Sequence, residues 1–246
     1  MAYLDAEDPV ARAATEAIQQ GDLRELRRLL AAHPGLATAR LGAPGGTSWT
    51  LLHAATDWPG HYPDGPRTVA VLIESGAKVD ARFAGPHRET PLHWAASTDD
   101  VPVLDVLLDA GAHIEADGAV IGGGTPLADA CAFAQWNAAR RLVERGATTS
   151  LWQEASLGLI DRVAARLTAP GGEDITEALW AAAHGGQLRT AQLLLEHDAD
   201  PHWVGYDDLT PLGAALRSGA TDVADWLRAQ GATDPGPHSE TPPHTH

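Results

Sequence analysis

Thr90-Pro91-Leu92-His93-Trp94-Ala95-Ala96 recurs along the chain, and the architecture follows from that recurrence. Thr50-Leu51-Leu52-His53-Ala54-Ala55 is a near copy, and Thr125-Pro126-Leu127-Ala128-Asp129-Ala130 and Thr210-Pro211-Leu212-Gly213-Ala214-Ala215 are looser ones. A second apolar stretch follows each: VAVLIESGA (69–77), PVLDVLLDAGA (102–112), AARRLVERGA (138–147) and VADWLRAQGA (223–232). Thr90 to Gly111, Thr125 to Gly146 and Thr210 to Gly231 are the same 21 residues apart. Thr is a good N-cap, and Pro suits the first helical position, where its missing N–H costs nothing. Paired alanines let helices approach closely. A glycine after the second stretch can take the left-handed conformation that stops a helix. Each copy therefore reads as helix, turn, helix.

This pattern resembles ankyrin repeats, whose signature is a TPLHxA start and a period near 33 residues. Three degenerate copies extend it: 17–37, 149–167 and 177–200, the last with Asp198 where glycine is usual. The resemblance implies an all-α solenoid of about seven helix–turn–helix units with finger-like turns, of the bacterial, single-domain type. Its repeats start near 12, 50, 90, 125, 149, 177 and 210, in one domain over 1–232, with the polar, proline-rich 233–246 as a disordered tail.

Departures from the period locate the irregular parts. Spacings between starts run 40, 35, 24, 28 and 33 from residue 50 onward. The 40 reflects five extra residues in TDWPGHYPDGP (56–66), inside repeat two, because Thr50 to Gly76 is 26 residues rather than 21. The 24 implies a missing finger before repeat five, and the 28 includes the Gly-Pro-rich connector APGGEDI (169–175). In the family, fingers and adjacent helix ends form the concave face that partners contact. A lost finger is expected to leave a notch there, and the stiff insertion in repeat two to overhang one end.

The register predicts which residues face that surface. The expected partner-binding set is Trp49, Trp58, Tyr62, Glu89, Phe133, Trp136, Trp203, Tyr206 and Asp207. Tyr and Trp combine an apolar body with a polar tip and concentrate at binding hot spots. Trp152 and Trp180 are expected in the motif-histidine slot and Trp226 on a second helix, all as packing residues. His53 and His93 are expected to be structural. Asp57, His61, His87 and His184 form the proton-moving set if the protein is an enzyme, because His titrates near neutral pH.

Composition limits the partners. The 246 residues carry 17 basic and 33 acidic side chains, a formal charge of −16, which repels nucleic acid and anionic membrane. A protein or peptide, a basic one above all, fits this surface, as does a small molecule. The single Cys131 excludes an intrachain disulfide framework and fits a cytoplasmic protein. The absence of HExxH, of Cys-rich spacing and of a G-x-S-x-G nucleophile turn leads us to expect no metal and no cofactor. Function is therefore expected to be recognition of a protein or peptide on the concave face. The alternative is a small-molecule-binding protein, or a cofactor-free lyase, isomerase or cyclase with an aromatic pocket.

Overall fold

A computed structural model describes residues 2–168 and 174–233. The connector's 169–173 and the tail beyond residue 233 lie outside the described residues. The chain divides into two compact units, Met1–Thr148 and Thr149–His246. Fourteen α-helices, paired consecutively, make up seven repeats among the described residues.

The first unit holds four pairs: α1 (Pro9–Gln20) with α2 (Leu23–Ala32), α3 (Leu51–Ala54) with α4 (Gly65–Glu74), α5 (Pro91–Ser97) with α6 (Val101–Asp109), and α7 (Pro126–Ala132) with α8 (Trp136–Glu144). The second holds three: α9 (Leu151–Leu157) with α10 (Ile160–Thr168), α11 (Ile175–His184) with α12 (Leu188–Glu196), and α13 (Pro211–Arg217) with α14 (Thr221–Ala229). Within each unit, first helices stack on first helices and second on second. Leu52, Leu72, Leu92, Leu104, Leu107 and Leu127 fill the first core, and the alanine pairs between them are fully buried. Leu179, Leu194 and Leu227 serve the second unit. Removing such apolar side chains from water is the main stabilising contribution.

The motif residues act as the repeat requires. Thr50 and Thr90 cap α3 and α5 in reciprocal boxes closed by His53 and His93. In each box the backbone N–H of Thr donates to the histidine Nδ1, at 3.3 and 3.1 Å. The proton therefore sits on Nε2, which faces the carbonyl preceding the next repeat, Glu89 O and Gly124 O, each at 3.3 Å. Each ring thus staples one repeat to the next. Burial keeps both neutral, lowering His53 to about 3 and His93 to about 4. The second helices of repeats two, three, four and seven run into a left-handed glycine, such as Gly111 at φ +89°, and that of repeat six into Asp198 at φ +66°.

Four details differ from the sequence expectation. The finger of repeat two carries a small sheet, β1 (Tyr3–Leu4), β2 (Arg40–Gly42) and β3 (Ser48–Trp49), with β1 parallel and β3 antiparallel to β2. Buried Arg40 holds it by donating Nε to Ser48 Oγ at 2.8 Å and Nη1 to Arg82 O at 2.8 Å. The first helix starts at Pro9, capped by Asp8, earlier than residue 12. Repeat five starts at Ser150 rather than 149, so Gln153, not Trp152, fills the histidine slot and closes the cap onto Ser150 N. In repeat six, Asp174 caps a helix one turn longer than the motif, yet Trp180 takes the histidine role, donating Nε1–H to Leu209 O at 3.0 Å. The finger preceding repeat five is absent: 145–150 joins α8 to α9, against 75–90 and 110–125 before the two preceding repeats.

Candidate functional site

The extra residues of repeat two lie in the turn between α3 and α4 and are bolted to repeat three. Gly60 sits so close to Thr98 that a Cβ would come within 2.7 Å of the Thr98 Cβ, and its φ is +70°. The next residue, His61, has its backbone N–H on Asp100 Oδ2 at 2.8 Å and its ring Nε2 on Thr98 O at 2.9 Å. Tyr62 donates its hydroxyl to Trp58 O at 3.1 Å. Asp100, nearly fully buried, also caps α6 through Val103 N. His61 and Tyr62 are therefore fasteners, and what they present is Trp58, 74% exposed. Asp100→Ala orphans the His61 N–H and uncaps α6. We expect a loss of about 2 kcal/mol in urea unfolding, with faster amide exchange confined to 56–64.

The fastened turn forms one wall of a recess of about 360 Å³. Thr56, Asp57 and Trp58 come from the turn, and Glu89, Trp94, Ser97 and Thr98 from the start and end of the α5 segment. Val120 comes from the next finger, and Phe133 and Gln135 from the end of α7 and the turn beyond it. Trp94 is fixed by an edge contact to His53 at 4.9 Å and a tilted one to Phe83 at 5.6 Å. The recess is open to solvent on the side of Trp58 and Phe133.

Its charges are all negative. Glu89 is 8% exposed, and burial raises its carboxyl above the usual range, with His87 and the Trp94 side chain pulling the other way. Partial burial raises Asp57 as well, against the Trp58 N–H that it accepts at 2.8 Å. Asp129 on α7 is fully buried, and neither carboxylate oxygen has a hydrogen-bond partner. Burial, with the nearby Glu89 charge, pushes it up to about 7. The Val120 and Ile121 amides face it and favour its charge without reaching hydrogen-bonding geometry. Glu154 occupies the same slot of repeat five but receives Arg166 Nε at 2.7 Å and the Thr149 hydroxyl at 2.6 Å. One buried carboxylate is neutralised by its own repeat; the other is not.

Of the expected partner-binding residues, the recess gathers Trp58, Glu89 and Phe133, together with Asp57 of the proton-moving set. Trp49 lies in β3, and Trp136 opens α8, half-buried; neither lines the recess. His61 and His87 do not line it either. His184 belongs to the second unit, buried, with Nδ1 3.1 Å from Ser218 Oγ and its ring stacked on Trp180 at 5.3 Å. Within the first unit, Asp57 lines the recess while His61 and His87 do not. In the second unit, Trp203 and Tyr206 meet with centroids 6.3 Å apart, and Tyr206 also packs edge-on against Trp152 and Trp180. Asp207 is ion-paired with Arg217. Sequence reasoning missed Trp94 and Asp129. Both fill the variable position after the motif histidine slot, four residues beyond Thr90 and Thr125; Trp94 lines the recess, and Asp129 is buried in α7.

No helix among the described residues is long and apolar enough to cross a membrane. Nor do three or more metal-binding side chains cluster among them.

Known proteins agree with the repeat. Residues 87–119 match the ankyrin repeat model, and 179–228 match the model for ankyrin repeats in many copies. The chain is 33% identical over 155 residues to ankyrin repeat, SAM and basic leucine zipper domain-containing protein 1 of Mus musculus, covering 63% of the chain and 29% of that protein. The Dasypus novemcinctus counterpart is 32% identical over 164 residues, 67% of the chain and 31% of that protein. An ankyrin repeat and KH domain-containing protein of Caenorhabditis briggsae is 28% identical over 180 residues, 68% of the chain and 7% of that protein. The chain spans less than a third of the length of these relatives. Seven helix pairs among the described residues, histidine staples between repeats and two family matches make the chain an ankyrin-repeat protein.

Proposed function

We propose that this protein is a binding module that recognises a protein segment through the concave face of its first unit, at the recess between repeats two, three and four. The repeat family supports an interaction scaffold in general. The observation that carries the finer reading is the recess itself, where Trp58, Trp94 and Phe133 from three successive repeats line one opening. Exposed aromatic side chains on a fixed backbone are what interface hot spots are made of, because little conformational entropy is lost when they are covered. An acid–base enzyme is less well supported, since His61 has its ring on Thr98 O and neither His61 nor His87 lines the recess.

The test is selection of random twelve-residue peptides on the full chain. Trp58→Ala with Phe133→Ala is expected to weaken the selected peptides by at least about tenfold. Leu216→Ala, a large exposed residue of the second unit, is expected to leave them unchanged. Peptides that bind the double variant as well as the natural chain would refute the reading.

A further inference from the structure

We infer that the recess receives an arginine side chain of the bound segment, its guanidinium laid on the indole faces and its charge met by Glu89 and Asp57. The inference rests on the concave-face reading above and names what that face selects.

Three observations carry it. Trp58, Trp94 and Phe133 supply ring faces whose quadrupoles attract cations. Every charged side chain of the lining is a carboxylate. Finally, among the described residues no arginine or lysine forms an ion pair with Asp57, Glu89 or the Asp129 beneath them. Other acids of the fold have partners: Asp100 is buried and accepts the backbone N–H groups of His61 and Val103. Buried Glu154, in the equivalent slot to Asp129, is paired with Arg166, and the half-buried Asp105 is paired with Arg141 and Arg145 at 2.8 Å each. An anionic cluster that is dry on one side gains most from a cation that sheds its water easily.

That condition favours arginine over lysine. A guanidinium is weakly hydrated and planar, so it can stack on an indole while its edge hydrogen-bonds a carboxylate; an ammonium is compact and strongly hydrated. The volume of about 360 Å³ exceeds a guanidinium alone and admits the whole side chain. Asp57 at the rim and Glu89 within give the fork two acceptors at different depths. A net charge of −16 would draw a basic segment towards this face.

The probe is acetyl-Gly-Arg-Gly-amide, with its lysine and citrulline counterparts, titrated into the full chain and followed by ¹H–¹⁵N spectra of the tryptophan indoles. The arginine peptide is expected to shift the Trp58 and Trp94 signals saturably. Lysine should bind about fivefold and citrulline, a neutral isostere, at least about tenfold more weakly. Glu89→Gln and Asp57→Asn, assigned separately in case either alters folding, should each weaken arginine binding and leave citrulline unaffected. Citrulline binding as well as arginine, or shifts confined to the second unit, would overturn the inference. Selected twelve-residue peptides that need Trp58 and Phe133 yet carry no arginine would overturn it too, while the concave-face reading stands.

Discussion

Asp129→Asn is expected to be more stable than the natural chain at pH 8, by about 2–4 kcal/mol, and to lose more than half of that advantage at pH 5. The carboxyl is fully buried, neither oxygen is hydrogen-bonded, and Glu89 lies close by. Its value rises from 3.8 to about 7 on folding. Between those limits the folded chain holds a proton that the unfolded chain has released, so stability falls as pH rises through the window. Above pH 7 the full cost of a buried, unpaired charge is present. Asparagine keeps the shape without the charge and removes that cost. His53 and His93 work in the opposite sense, since their folded values of about 3 and about 4 lie below the free imidazole's. They withdraw stability as pH falls below about 6.5, equally in both proteins. The difference between two urea unfolding series at pH 5 and pH 8 therefore isolates Asp129. A gap that does not change with pH would show that the carboxyl is not titrating in this range.

The same position explains what was legible in the sequence. Thr50, Thr90, Thr125 and Thr210 announced four of the seven repeats because N-caps, staples and alanine contacts are local and periodic. Degenerate starts shifted: Ser150 replaced Thr149 as the cap because Gln153 supplies the reciprocal bond, and Asp174 extended a helix beyond its motif. The expanded turn was legible as an insertion, but its inner and outer residues were not distinguishable. His61 looked like chemistry and serves as a fastener, a role set by Thr98 and Asp100 some 40 positions along the chain. Trp94 and Asp129 were overlooked because their slot varies from repeat to repeat: Ala54, Trp94, Asp129, Glu154, Ala181 and Ala214. A variable position inside a constant frame is where a repeat protein can diversify a surface without disturbing its core.

A second column, eight residues beyond each repeat start, makes the same point through space rather than charge, and Gly185→Ala is its sharpest test. The column reads Trp58, Thr98 and Phe133 in repeats two to four, and all three line the recess. In repeats five and six it reads Gly158 and Gly185. At Gly185, which closes α11, an added Cβ would lie 1.9 Å from the carbonyl oxygen of Ser156 and 2.8 Å from its carbonyl carbon. Ser156 is a fully buried residue of α9, and the obstacle is backbone, so no side-chain rotation relieves the contact. The φ of Gly185 is an ordinary −81°, which leaves separation of the two helices as the cost rather than backbone strain. Overpacking of this kind typically costs 1–3 kcal/mol and more when backbone must move, so we expect about 3 kcal/mol or more from Gly185→Ala. Gly219→Ala, where a Cβ would meet nothing within 4 Å but φ is +71°, is expected to cost about 1 kcal/mol from conformation alone. Equal losses in the two variants, read by urea unfolding of the second unit, would mean that α9 and α11 are not in close backbone contact. The larger loss at Gly185 would show that the column which opens a recess in the first unit is closed by helix contact in the second.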